Sequence, residues 1–368
     1  MAKVSIVKVR AGVKEALVDA LVLAGGLGTY LGHTDTVLLK PNLNGTEGIT
    51  NITLVEALLQ LLFDFGVRKL FLAEATFGNA KVTDMFFKKS GYIDLVNRYN
   101  LELVNLNASE IVELKVANPL ALERVCVARE AYEAERIINL PNMKVHYATG
   151  ISLALKNMKG ILVGDEKKHF HEVGLDKAIV DLNNTLQPSL NIVDAITCME
   201  RMGPRGGDLV DLGLILVGGN AGEVDYVGSQ VMGYELGEVK HLELWLEVNH
   251  IDLSQVEVVG EPVEAIRYPF KKVKLEGIIP EGFRIHNRNA CSACENAFLL
   301  SCQFVEKSPL CPVEVFMGEF IEEASSQRST RIGFGSCCPV DGRFDKLIKG
   351  CPPYPYALRD YLRTLEYP

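Results

Sequence analysis

Residues 37–73, VLLKPNLNGTEGITNITLVEALLQLLFDFGVRKLFLA, hold the pattern that decides the fold. Val37 to Leu39 is a short apolar run suited to a buried strand, and Lys69 to Ala73 is a second. Between them, apolar residues from about Ile52 to Phe65 recur at helical spacing. Thr50 or Asn51 stands where a cap belongs, and Gly66 where the helix must stop. Strand, helix and strand of these lengths make a βαβ unit, whose crossover helix sets the two strands parallel.

The alternation extends both ways. Upstream, Val4 to Val9 reads as a strand and Val13 to Leu23 as a helix. Downstream, strands are expected at Leu101 to Val104, Arg124 to Ala128, Arg136 to Leu140, Asn191 to Ile196 and Leu212 to Val217. The fold class is therefore α/β, a mainly parallel sheet flanked by helices. Between Glu261 and Gly282 the pattern weakens at Pro262, Pro269 and Pro280 and at the basic Lys271, Lys272 and Lys274. This places an α/β domain over residues 1–265 and a smaller, cysteine-rich α+β iron-sulfur domain over residues 266–368. The second has an expected helix from Ser292 to Val305, short strands near Val313 to Met317 and Arg331 to Phe334, and a closing helix after Pro353.

Composition narrows the function. Of 368 residues, 48% are hydrophobic and 23% charged, which is ordinary globular usage and length for two domains. The formal net charge of −9 repels polyanions, so nucleic acid is not an expected partner. No apolar run reaches the roughly 18 residues of a membrane span, and Met1 to Arg10 reads as a strand and not a leader, so a cytoplasmic protein is expected.

Nine cysteines in a reducing compartment point to metal or redox chemistry and not to disulfides. Cys126 and Cys198 stand apart, whereas Cys291, Cys294, Cys302, Cys311, Cys337, Cys338 and Cys351 crowd the C-terminal end. Cys291-Ser-Ala-Cys294 opens a helix, Gly335-Ser-Cys337-Cys338-Pro339 makes a glycine-bounded turn, and Gly350-Cys351-Pro352-Pro353 precedes the last helix. Soft thiolates on three separate turns suit a [4Fe-4S] cube, whose four sulfur ligands must arrive from different directions. Cys291, Cys294, Cys337 and Cys351 are the expected ligands, with Cys338, Cys302 and Cys311 in reserve. A four-thiolate zinc site is the rival reading, although the second C-x2-C knuckle usual for zinc is missing.

Several further stretches carry a resemblance. Leu39-Lys40-Pro41-Asn42, Asn139-Leu140-Pro141-Asn142-Met143-Lys144-Val145-His146, Leu155-Lys156-Asn157-Met158-Lys159-Gly160, Ile192-Val193-Asp194-Ala195, Gly203-Pro204-Arg205-Gly206-Gly207 and the Gly-Cys-Pro-Pro tail together resemble the domain-of-unknown-function 362 family. Some members of that family are described as iron-sulfur proteins. The resemblance implies a bound cluster but no particular reaction. Many relatives carry a ferredoxin-like insert dense in C-x2-C-x2-C, which this chain lacks, so one cluster is expected and not two.

The polar residues of the first domain form a second constellation. Lys40 and Asn42 directly follow a strand, Lys144 and His146 follow the strand ending near Leu140, and Asp194 ends another. Lys156, Asn157 and Lys159 come just after a short helix, and Arg205 sits in a glycine-rich loop. Open α/β sheets bind ligands at the carboxyl edge, and convergent cations and amides there suit a carboxylate or phosphate. The plainer reading makes Asn42, Asn142 and Asn157 turn caps, Asp194 a helix cap and the lysines solvated; it is preferred for Asn42 and Asn142, and function for Lys40, Lys144 and Lys156. Gly218 to Gly222 is a possible anion cradle. His171, in a surface-loop-like run, is a minor site candidate.

The expected function is a [4Fe-4S] redox protein that passes electrons to, or activates, a small anionic substrate or cofactor, as an iron-sulfur oxidoreductase of anaerobic type. It would exchange electrons with a donor or acceptor protein. The alternatives are a non-enzymatic electron carrier or assembly factor, and a zinc-stapled binding protein.

Overall fold

The computed structural model describes residues 2–33, 35–67, 69–274, 278–305, 311–319, 329–339 and 344–365. The chain forms two compact units that divide between Val273 and Lys274. This division lies a few residues beyond 265/266 because the N–H groups of Tyr268 and Phe270 donate to the carbonyls of Val231 and Met232, at 2.8 and 2.9 Å, and Phe270 is buried in the larger unit's core.

The larger unit contains, in chain order, β1 (Ala2–Lys8), β2 (Thr36–Pro41), β3 (Lys69–Glu74), β4 (Glu102–Asn105), a separate hairpin of β5 (Ile111–Lys115) and β6 (Arg124–Ala128), then β7 (Arg136–Leu140), β8 (Asn142–His146), β9 (Gly150–Ser152), β10 (Leu190–Glu200), β11 (Asp208–Gly218) and β12 (Val256–Gly260). The sheet order is β12-β1-β11-β10-β7-β2-β3-β4, with β8 beside β10 and β9 beside β8. β11 runs antiparallel to β1 and β10, and β9 antiparallel to β8; the remaining pairs of this sheet are parallel. A mostly parallel α/β sheet flanked by helices is thus present. Leu38 joins the hydrophobic cluster on one face while Val37 and Leu39 join that on the other, the alternation of a strand covered on both sides.

The deciding segment folds as its pattern dictates. The helix spans Ile52–Phe65, the Asn51 side chain accepts from Thr53 N at 2.9 Å, and Gly66 ends it at φ 102°. Thr50 is not the cap: its hydroxyl accepts from Asn42 N at 2.7 Å and donates to Leu140 O at 2.5 Å, tying the end of β2 to β7.

Two placements differ from expectation. Pro141 has no N–H and so marks a strand end in the sequence, yet the ladder resumes past it, pairing Asn142 and Lys144 with β10. Lys144 and His146 therefore lie within a strand and not in a loop beyond one, and Asp194 sits in the middle of the 11-residue β10 and not at its end.

The smaller unit has β13 (Phe283–Arg288), β14 (Val313–Gly318), β15 (Thr330–Phe334) and β16 (Lys346–Ile348) in that order, all parallel, with helices Ser292–Gln303 and Tyr356–Leu365. This corrects the α+β expectation to α/β. The sequence hides β13 behind Arg284, His286, Asn287 and Arg288, and β16 is only three residues long. Among the described residues no helix is long and apolar enough to cross a membrane.

Candidate functional site

The carboxyl end of β2 lies against β3 and β7, and polar side chains replace apolar ones there. Lys40, fully buried, donates to Glu74 at the end of β3 (2.6 Å) and to Pro41 O (3.1 Å). Burial pulls the lysine down and the carboxyl up, each opposed by the other's charge. Ala75 N donates to Gly160 O at 2.9 Å, bringing the backbone of Gly160 over this pair. A Cβ at Gly160 would collide with the Glu74 carboxylate and the Lys40 ammonium. Gly160→Ala is therefore expected to cost roughly 1–3 kcal/mol by overpacking, read from the urea unfolding midpoint.

Asparagines extend this floor. Lys144 donates to Asn42 Oδ1 (2.8 Å) and Gly48 O (2.6 Å), Asn42 Nδ2 donates to Asn157 Oδ1 (2.8 Å), and Asn157 Nδ2 donates to Asn139 Oδ1 (2.8 Å). Asn42 is thus a bridge between elements and not a turn cap. Asp194 accepts from Asn51 N (2.7 Å), Ile196 N (3.0 Å) and Asn142 Nδ2 (3.2 Å), while burial pushes its carboxyl up to about 6. Arg205 donates to Asn44 O and Oδ1, at 3.2 and 2.9 Å, and lies over the Phe86 ring.

The short helix Ala154–Asn157 carries Lys156 toward this group. Buried Asp225 accepts from the N–H groups of Ala154 (2.6 Å) and Leu155 (3.0 Å), fixing the helix start. Beyond it, Lys159 lies 3.1 Å from His171 Nε2, and Lys167 donates to Leu162 O (2.5 Å) and Asn107 Oδ1 (3.3 Å). Burial lowers Lys144, Lys159 and Lys167 to about 7, with Arg205 adding to the effect on Lys144 and Lys167 to that on Lys159. His146 is held well below its usual value by burial and by Lys156, His171, Lys159 and Lys144. Among the described residues, Lys40, Lys144, Lys156, Lys159, Lys167 and Arg205 thus face only Glu74, Asp194 and Asp176 in this electrostatic network. Such an excess of buried basic side chains suits an anion, whose charge would favour their protonated forms.

In the smaller unit, Cys291 is the N-cap of helix Ser292–Gln303 and Cys294 lies in its first turn. Ser336 N donates to Gly350 O at 2.9 Å and Gly350 N to Ser336 Oγ at 3.1 Å, lashing the turn of Cys337 to that of Cys351. Gly335, at φ +115°, would place a Cβ 3.2 Å from Cys294 Sγ, so the turn packs against the helix start. The Cys294 thiol is held far above its usual value by a hydrogen bond with Cys291, by burial and by the neighbouring charges of Cys291, Cys351 and Cys337. Cys338 points elsewhere, donating to Phe316 O at 3.2 Å, Cys302 is buried in its helix, and Cys311 is exposed. The four thiols are neighbours, yet among the described residues no group of three or more His, Cys, Asp or Glu side chains stands ready-made to hold a metal ion.

The larger unit therefore gathers Lys40, Asn42, Lys144, His146, Lys156, Asn157, Asp194 and Arg205 from five separate stretches. Gly218 to Gly222 stays apart as a cradle, because the N–H groups of Gly222 and Glu223 are taken by Asn220 Oδ1, the cap of the following helix. His171 lies on helix Glu166–Val173 and not on a loop. Glu74, Lys167 and Asp225 escape a reading of the sequence. A carboxylate closing the apolar strand KLFLAE is the one visible signal for Glu74, whereas Lys167 hides in a charged run that reads as surface.

Residues 37–230 match the sequence profile of a domain of unknown function, DUF362. A thylakoid-associated protein of Synechocystis sp. is 27% identical over 219 residues, covering 56% of this chain and 66% of that protein. The chain thus spans just under two thirds of the length of this curated relative. The lactate racemase apoprotein of Thermoanaerobacterium thermosaccharolyticum superposes at a TM-score of 0.41 and 11% identity, over 86% of this chain and 69% of the racemase.

Proposed function

The chain belongs to the DUF362 family, and on that premise we propose that it binds a small carboxylate- or phosphate-bearing molecule in its larger unit and a [4Fe-4S] cluster in its smaller one. The observation that carries the reading is the surplus of buried basic side chains around Lys144, Lys156 and Lys159. An anion would complete the pairing that Glu74, Asp194 and Asp176 leave unfinished. The amide floor of Asn42 and Asn157 would orient it, and Lys144 and Arg205 would supply charge.

Cys291, Cys294, Cys337 and Cys351 fit the cluster by donor chemistry: four neighbouring soft ligands, two of them at a helix start. When bound, such a cluster supplies one-electron chemistry. The protein would then exchange electrons with a donor or acceptor protein and use them on the bound anion.

The test is iron, zinc and acid-labile sulfide content of anaerobically purified chain. Iron and sulfide in equal amounts, lost in Cys294→Ser and Cys351→Ser and retained in Cys126→Ala, are expected. Zinc without sulfide, or equal loss in all three variants, contradicts the ligand set. Reversible redox behaviour without any anion binding favours a simple electron carrier.

A further inference from the structure

Each buried cation of the site has an acceptor except one. Lys40 has Glu74, Lys144 has Asn42 and Gly48 O, Lys159 has His171, Lys167 has Asn107 and Leu162 O, and Arg205 has Asn44. The Lys156 side-chain amine makes no hydrogen bond and no ion pair with any described residue. It is partly buried and not sealed. Its neighbours are nonetheless fixed on both sides, the backbone of Ala154 and Leu155 by Asp225, and the Asn157 side chain by Asn42 and Asn139. So much anchoring around one unengaged amine suits a group that reacts and not one that only braces the fold.

We propose that Lys156 captures the carbonyl of the bound anion as an imine, so that the site's substrates are small oxo-acids with a carbonyl beside the carboxylate. The proposal deepens, and rests on, the anion-binding reading. The Lys156 nitrogen lone pair adds to the carbonyl carbon, and the C=O π pair moves to oxygen. The resulting carbinolamine expels that oxygen as water, carrying away both hydrogens of the neutral amine, so no oxidant or reductant is needed.

The surroundings favour the neutral amine this requires. Burial, then Lys159 and Lys144, hold Lys156 well below the usual lysine range, an arrangement that activates imine-forming lysines in general. A buried imidazole shares this part of the unit. His241 is completely buried, lies 3.5 Å from Asp176, and shares the field of both Asp176 and Lys156. Among the described residues neither ring nitrogen of His241 has a close hydrogen-bond partner, and burial holds the ring below its usual range, so it adds a neutral imidazole and not a second cation to the surroundings of Lys156.

The test is reductive trapping: intact chain is incubated with glyoxylate and cyanoborohydride, and adducts are mapped by peptide mass spectrometry. Lys156 is expected to be modified about tenfold or more above the exposed Lys14 and Lys69, because far more of it is neutral near pH 7. Excess sulfate should suppress that adduct, and Lys156→Arg should carry none at this position. Should Lys156→Arg fail to fold, the map of the unaltered chain still decides. Uniform labelling of surface lysines, or no adduct at Lys156 while sulfate still binds saturably, overturns the imine and leaves the anion site standing. Absence of both overturns the two together.

Discussion

Glu74→Ala is expected to destabilise the larger unit by about 3–5 kcal/mol, the cost of leaving a buried charge without its partner. Lys40 is wholly enclosed and Glu74 nearly so, with the two side chains 2.6 Å apart. Removing the carboxylate leaves an ammonium whose only remaining acceptor among the described residues is Pro41 O, at 3.1 Å. Lys40→Met combined with Glu74→Leu removes both charges and should recover most of the loss, since apolar replacements of buried pairs are often neutral. Urea unfolding of the two variants checks this. A loss under about 1 kcal/mol for Glu74→Ala, the range of an exposed pair, would mean that no charged pair is buried there.

The fold was legible where apolar periodicity was strong. Val37 to Leu39, Ile52 to Phe65 and Lys69 to Ala73 fold as their spacing requires, because burial on both faces leaves few alternatives. Reading failed where a local rule was overruled by tertiary pairing. Pro141 ends a strand by its own chemistry, but β10 supplies a neighbour on which the chain continues, and Lys144 and His146 are carried inward with it. The candidate site was legible by type more than by role. Lys40 reads as a ligand-facing cation at a strand end, yet its partner Glu74 comes from the next strand, a pairing set by register that sequence alone does not reveal. Asp225 lies far along the chain from the helix it holds, so its part in placing Lys156 emerges only in three dimensions.

Affinity for an anion should fall steeply as pH rises through neutrality. Lys144 and Lys159 are lowered to about 7, so both lose their charge just above that pH. Each protonated lysine that binding requires contributes up to about tenfold weakening per pH unit beyond its pKa. Sulfate is the useful probe, because it stays dianionic throughout. The ligand-free fold should respond in the opposite sense. With folded values below the unfolded 10.5, Lys144, Lys159 and Lys167 bind fewer protons in the native state between about pH 7 and 10, so their contribution to stability rises with pH there. The raised carboxyls act against this at lower pH. Asp194, lifted to about 6, and Asp225, lifted to about 8, favour the fold when protonated and cease to help as pH passes those values. Above about pH 8 the lysine contribution stands alone among these groups, and denaturant midpoints should climb.

The central claim is that the lysine-rich end of the larger unit is a site for a small anion, and calorimetric titration of the intact chain with sulfate at about pH 6.5 and about pH 8.5 addresses it most directly. Saturable binding at the lower pH, weakened by about tenfold or more at the higher, is the predicted result. Absence of saturable heat at either pH, or an affinity unchanged between them, would contradict it.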